Sequence, residues 1–459
     1  CSMKRQRIIA GLTALFLIFT LLSGCSALEK ESEEETPKKQ LYFYYPYDSS
    51  YVIKSLILEF NNSQDRIIVE GIEGSGQRKE FLEKLDELIK KGQTVPDIIL
   101  IHDTWLAKLA AEQKIQPLDG GLSIEKRNKF FAGMADAMVW EGKTYGWPFW
   151  QDMPLLYYRT DLVETPPAAW EDLFQLALQI MKANEMEYGL VFPGSAEENA
   201  AAFLAGIWHY FGTYPDFEAE ETVFDQESVA NVWNFMVSMA REEVISLNSM
   251  SMDPENCRAV FEAGNAAFMW NWSYAARLFL DEESPLYGKV GVASLPAPGN
   301  VDAAGGILSG YVLTMSRATK SIPESWEFIQ FLVSEQSQQR IKNAGLMPAD
   351  ASVYQSDWLE EIGLPSQFKD MMQKGQALKP GKNVNGTLNV MAEAVSLAFE
   401  HNKNLEDFIL LLKEGIVEEE QVDETEPEEE TDKESSESEE SEGSGEESAN
   451  PAEDTGNSE

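Results

Sequence analysis

An α/β protein with two lobes is what the sequence predicts, and three observations carry the prediction. Short apolar runs alternate with helical periodicities between residues 41 and 113, a helical middle follows, and strand-like runs return after residue 265. Alternating strands and helices build a parallel sheet covered on both faces. A chain that leaves one such unit, builds a second and comes back makes two lobes. At 459 residues it is long enough for both.

The elements follow in order. Residues 41–45 form an aromatic strand, 52–61 a helix, 66–70 an alternating strand, and 78–91 a helix with Phe81, Leu85 and Leu88 on one face. The continuous apolar run 98–101 supplies a buried third strand, and 105–113 a third helix. Ligands of such sheets sit beyond the carboxyl ends of the strands. Topology therefore puts 46–50 with Tyr47 and Asp48, 73–77, and 102–104 with Asp103 on the ligand side. Pro166-Pro167 opens a helix over 167–183, where Trp170, Leu173, Leu176 and Ile180 recur at helical spacing. Helices over 197–211, 226–242 and 254–264 come next. Strands over 266–271, 290–294 and 311–315 precede helices over 323–334 and 336–343.

The flanks concern location. Residues 3–25, MKRQRIIAGLTALFLIFTLLSGC, join a cationic head to an apolar run too short to span a bilayer comfortably, then to small residues ending in Cys25. That ending resembles the bacterial lipobox, in which the cysteine is acylated and the chain is cut before it. The competing readings are a plain signal peptide or an uncleaved anchor, and small residues followed at once by cysteine favour the lipoprotein. Residues 1–25 are thus expected to be a lipoprotein signal peptide. Lipidated Cys25 would hold the protein at the extracytoplasmic face of the cell membrane, and 26–40 would be a polar tether.

Residues 417–459 read as a disordered acidic tail, because 418–459 holds 20 acidic residues and one lysine and has little to bury. The net charge of −42 includes no basic stripe in the body, which argues against nucleic acid and against charge-driven adhesion to anionic lipid. In the body only Cys257 remains, so no intramolecular disulfide is expected. Inside a helical pattern it reads as a small buried hydrophobe.

Motifs for catalysis are thin. His102, His209 and His401 fall in unrelated segments, and no zincin, paired CxxC, nucleophile-elbow or phosphate-loop pattern occurs. No catalytic residue, metal ligand or cofactor is therefore expected. Glu197-Glu198 and Glu242-Glu243 diverge as neighbours on helices and read as solvated faces. Glycosidase chemistry stays open here, since its two carboxylates can lie anywhere in a chain. Aromatic density is the stronger signal: Trp147, Trp150, Gln151 and Asp152 cluster in one turn, and Asn271, Trp272 and Tyr274 end a strand. Rings beside amides and carboxylates suit the flat C–H faces and hydroxyls of sugars. Tyr157 and Phe268, inside strands, read instead as core.

At these residues the chain resembles the extracellular solute-binding proteins of ABC importers, in the carbohydrate-binding group that includes maltose-binding protein. The resemblance is carried by VPDIILIHDTWLAKLAAEQKIQPLD, GKTYGWPFWQDMPLLYYRTDLV, FEAGNAAFMWNWS and GGILSGYVLTMSRATKSIPESWEFIQFLVSEQSQQR, in the family's order across 41–416. It implies a two-lobed, periplasmic-binding-protein-like type II fold with a hinge of crossing strands. Lobe 1 would hold 41–153 and 292–335, lobe 2 would hold 154–291 and 336–416, and the first crossing would run through 154–160. It also implies that Asn271 to Tyr274 form the turn where an aromatic stacks on sugar. Ser309, Gly310 and Tyr311 would face the cleft, and Trp147 to Asp152 would enter the hinge. Val384, Leu388 and Val390 stand where some maltodextrin binders carry a stacking aromatic, which points to a shorter or different solute.

The function implied is capture of a mono- or oligosaccharide by a monomeric, membrane-anchored binder that delivers it to ABC permease subunits. A non-sugar solute, a sensory or adhesive surface lipoprotein, and an exported hydrolase are the alternatives.

Overall fold

Side-chain alternation along the first strand sets the core of the first lobe. β1 (Lys39–Tyr45) sends Phe43 and Tyr45 to one face and Tyr44 to the other. In this computed structural model residues 38–92, 94–119, 127–212, 224–297, 306–379 and 381–414 are described. The expected signal peptide with Cys25, most of the tether and the tail 417–459 lie outside them.

α1 (Val52–Ser63), β2 (Ile67–Glu73), α2 (Arg78–Lys91), β3 (Ile98–His102) and α3 (Leu106–Ala111) follow in the expected alternation. β1 pairs in parallel with both β2 and β3. Phe81, Leu85 and Leu88 are buried as the helical face required. α4 (Ala132–Ala137) and the two-residue strands β4 (Val139–Trp140) and β5 (Lys143–Thr144) lead into β6 (Gly146–Asp152).

One residue, Met153, separates β6 from β7 (Pro154–Arg159), and the two strands belong to different sheets. The crossing is therefore sharper than the expected 154–160, because Pro154 already pairs with Trp272 in the second sheet.

That sheet takes α5 (Trp170–Asn184), β8 (Tyr188–Val191), α6 (Glu197–Phe211), α7 (Gln226–Arg241), α8 (Pro254–Glu262), β9 (Ala266–Trp272), α9 (Ala275–Leu278) and β10 (Val290–Ala293). Its order is β10-β7-β9-β8. α5 starts at Trp170 rather than 167: Ala169 is still extended, and Glu171 and Asp172 then occupy the first turn, where the helix dipole favours them.

β11 (Ile307–Met315) returns to the first sheet and runs antiparallel to both β3 and β6. α10 (Ile322–Leu332) and α11 (Glu335–Asn343) pack on α1, with Phe328, Ile329 and Ile341 in the Phe43–Tyr45 core. The first lobe thus keeps α11, which the sequence reading gave to the second, since Ile341 fills that core. After α12 (Ser356–Glu361) and α13 (Phe368–Lys374), β12 (Gln376–Ala377) pairs with β11. α14 (Val384–Leu397) and α15 (Leu405–Glu414) pack on α6 and α7. Buried Val384, Leu388 and Val390 face that packing. Cys257 is buried and unpaired.

Candidate functional site

Where the two sheets meet lies a cleft of about 320 Å³. Gly76, Gln77, Arg78, His102 and Trp105 line it from the first lobe; Glu197, Glu198, Asn199, Pro254, Trp272 and Tyr274 line it from the second. Trp150 to Asp152 and Ser309 to Tyr311 form its floor, with Leu346 and Met347 beside them.

The floor follows from strand pairing. Register places Asp152, Gln151 and Trp150 opposite Ser309, Gly310 and Tyr311, and the Trp150 and Tyr311 rings lie 5.2 Å apart. Gly310 permits this approach: a Cβ there would meet the Trp150 carbonyl oxygen at 2.3 Å. Beneath the floor, buried Asp103 accepts from the Ser309 hydroxyl at 3.0 Å and the Gly310 amide at 3.1 Å. Burial raises its pKa against those stabilising bonds.

His102 lies 3.0 Å from Ser309 through Nε2, and Asp103 Oδ1 lies 3.2 Å from its Nδ1, so the three side chains outline a catalytic-triad composition. His102 Nδ1 also lies 2.8 Å from the Thr104 hydroxyl and 3.4 Å from the Thr104 amide nitrogen, and the Ser309 hydroxyl donates to Asp103.

The walls are rings held by polar partners. Trp272 Nε1 donates to Asn199 Oδ1 at 3.0 Å, and Tyr157 donates its hydroxyl to the Trp272 carbonyl at 2.7 Å. Tyr274 donates to Glu255 at 2.7 Å, and Trp105 Nε1 to Glu198 at 3.0 Å. The Asp253–Asn256 capping box sets the start of α8 and brings Pro254 to the cleft. Glu197 and Glu198 open α6 in the favourable first-turn position. Their carboxylates lie 3.7 and 3.8 Å from the Arg78 guanidinium.

Eight of the residues singled out in the sequence meet in this cleft: Trp150, Gln151, Asp152, Trp272, Tyr274, Ser309, Gly310 and Tyr311. Five others do not line it. Tyr47 is 63% exposed, and Asp48 is buried as the residue that accepts from the amides of Ser50 and Ile53 at the start of α1. Asp103 lies under the floor. Asn271 turns inward, donating to the Pro254 carbonyl at 2.8 Å. Trp147 is buried between Phe130 and Trp326, deeper in the core that Trp150 packs against from beyond the register shift in the β6–β11 pairing.

Arg78, Trp105, Glu198 and Asn199 were missed. Trp105 and Arg78 each follow a segment that topology had put on the ligand side. Glu197 keeps the exposed position expected of a solvated face, with its side chain 44% exposed, but the Glu198 side chain is only 13% exposed and faces the cleft.

Residues 51–339 match the bacterial extracellular solute-binding protein family. The chain belongs to that family. This solute-binding protein is 27% identical over 318 residues to a probable ABC transporter-binding protein of Deinococcus radiodurans, across 66% of this chain and 74% of that one. It is 22% identical over 437 residues to a maltooligosaccharide ABC transporter solute-binding lipoprotein of Streptococcus pneumoniae strain R6, across 90% and 97%. The structure of maltose-bound T. maritima MalE3 superposes with a TM-score of 0.70 and 26% identity, covering 82% of this chain and 99% of that one. Family and relatives are binders of ABC transport systems, not enzymes, and the two-lobed fold is theirs.

Proposed function

We propose that this solute-binding protein captures a small carbohydrate between its lobes and delivers it to ABC permease subunits while anchored to the membrane through lipidated Cys25. One observation carries the sugar reading: Trp105, Trp150, Trp272, Tyr274 and Tyr311 come from both lobes and the floor to surround a single cleft edged by amides and carboxylates. Aromatic faces take the C–H surfaces of a pyranose, and Gln151, Asn199 and Glu198 suit its hydroxyls. The solute touches both lobes only when they are closed, so binding favours the closed form that a permease would read. The names of the pneumococcal and T. maritima relatives support the sugar class.

Thermal shift against monosaccharides, disaccharides, amino acids and short peptides tests the class. A rise in melting temperature with a sugar is expected, and a rise confined to amino acids or peptides would overturn it. For the anchor, Cys25→Ser should move the protein from the membrane fraction to the medium. Retention of the variant in membranes would contradict it.

A further inference from the structure

The cleft has an end, and Arg78 makes it. Arg78 opens α2 of the first lobe, yet its guanidinium reaches three side chains of the second: Glu197 at 3.7 Å and Glu198 at 3.8 Å on α6, and Asn389 on α14 at 3.0 Å. The side chain spans the gap between lobes while only 8% exposed. α14 touches Arg78, but among the described residues it contributes nothing to the lining of the cavity. The arginine therefore stands between the cavity and α14. One donor is also unspent: Nη1 is buried and has no hydrogen-bond acceptor among the described residues, since Glu198 lies at ion-pair rather than hydrogen-bond distance.

We propose that Arg78 is the residue that sets solute length, closing the cleft behind the terminal sugar unit and donating Nη1 to one of its hydroxyls. This rests on the sugar reading and deepens it. A buried guanidinium without a full complement of acceptors is costly, and a terminal hydroxyl relieves that cost only when the chain ends there. A longer oligosaccharide must push the arginine out, breaking three contacts between lobes at once and losing closure with them. Selection by length thus has an attractive part, the unspent donor, and a repulsive one, the blocked passage. The cavity of about 320 Å³ lies at the small end of the range for ligand sites, which favours a short solute.

Calorimetric titration with malto-, cello- and manno-oligosaccharides of two to five units tests the proposal on the full-length wild type, Arg78→Ala and Asn389→Ala. In the series that binds, the wild type should prefer the two- or three-unit sugar over the five-unit one by at least about tenfold. Arg78→Ala should cut that ratio by about tenfold, weakening the short sugar and admitting the long one. Asn389→Ala removes one contact at the far end of the arginine, sits on the exposed face of α14, and should shift the ratio in the same direction by less. A thermal melt confirms that each variant is folded. Equal wild-type affinity for all lengths, or an unchanged ratio in folded Arg78→Ala, overturns the assignment while leaving sugar binding intact. Failure of the wild type to bind any of the three series, with binding of amino acids or peptides instead, removes the sugar reading and this inference with it.

Discussion

Ser273 donates its backbone amide to Asp152 Oδ1 at 3.0 Å and its hydroxyl to the same oxygen, joining residues 121 positions apart. Asp152 ends β6 in the first sheet and Ser273 follows β9 in the second, so one carboxylate ties the two lobes beside the crossing. Burial pushes its pKa up to about 6 from 3.8, with the Ser273 bonds opposing the shift.

A pH dependence follows from that shift. Between about pH 4 and 6 the folded protein holds a proton on Asp152 that the unfolded chain has released, so this group's contribution favours the folded state at low pH and is lost as pH rises through 6. Asp152→Asn keeps the accepting oxygen and removes the titration. Chemical denaturation from pH 4 to pH 6.5 should show wild-type stability falling relative to Asp152→Asn by about 2 kcal/mol. Parallel curves would show that Asp152 does not titrate there.

Gly310 should tolerate no side chain. A Cβ at this position meets backbone on both near sides, the Trp150 carbonyl oxygen at 2.3 Å and Gln151 Cα at 2.7 Å, and backbone cannot rotate away. Gly310→Ala should cost about 1–3 kcal/mol in a denaturation midpoint and weaken solute binding as β11 parts from β6. A melt and an affinity equal to wild type would contradict the close strand approach.

Cys257 is buried in α8 with its thiol 3.9 Å from the Met252 sulfur, and desolvation raises its pKa far from the thiolate range. A maleimide probe should leave it unlabelled in native buffer and label it fully in denaturant. Rapid native labelling would show that the helix opens.

Much of the fold could be read from one chain because its signals are local. The apolar run 98–101 needed no partner to announce β3, and the spacing of Phe81, Leu85 and Leu88 announced α2. The strand pairings that make the floor are nonlocal: nothing in Ser309-Gly310-Tyr311 states that it will lie against Trp150 to Asp152. Trp147 and Trp150 show the limit most clearly. They are three positions apart in one strand, yet one fills a core and the other lines a cleft, because the β6–β11 pairing shifts register between them and carries Trp150 past the buried core to lie opposite Tyr311. Arg78 was invisible for another reason: its role comes from the second lobe's acids, more than 110 residues away in sequence.

Calorimetric titration of the binding sugar into wild type, Trp272→Ala and Trp147→Phe measures the central claim, that rings from both lobes grip a carbohydrate in the interlobe cleft. Trp272→Ala should weaken binding by about 2 kcal/mol, roughly thirtyfold, without loss of fold. Trp147→Phe should lower the melting temperature and leave affinity unchanged. Wild-type affinity in Trp272→Ala, or a wild type that binds no sugar at all, would contradict the account.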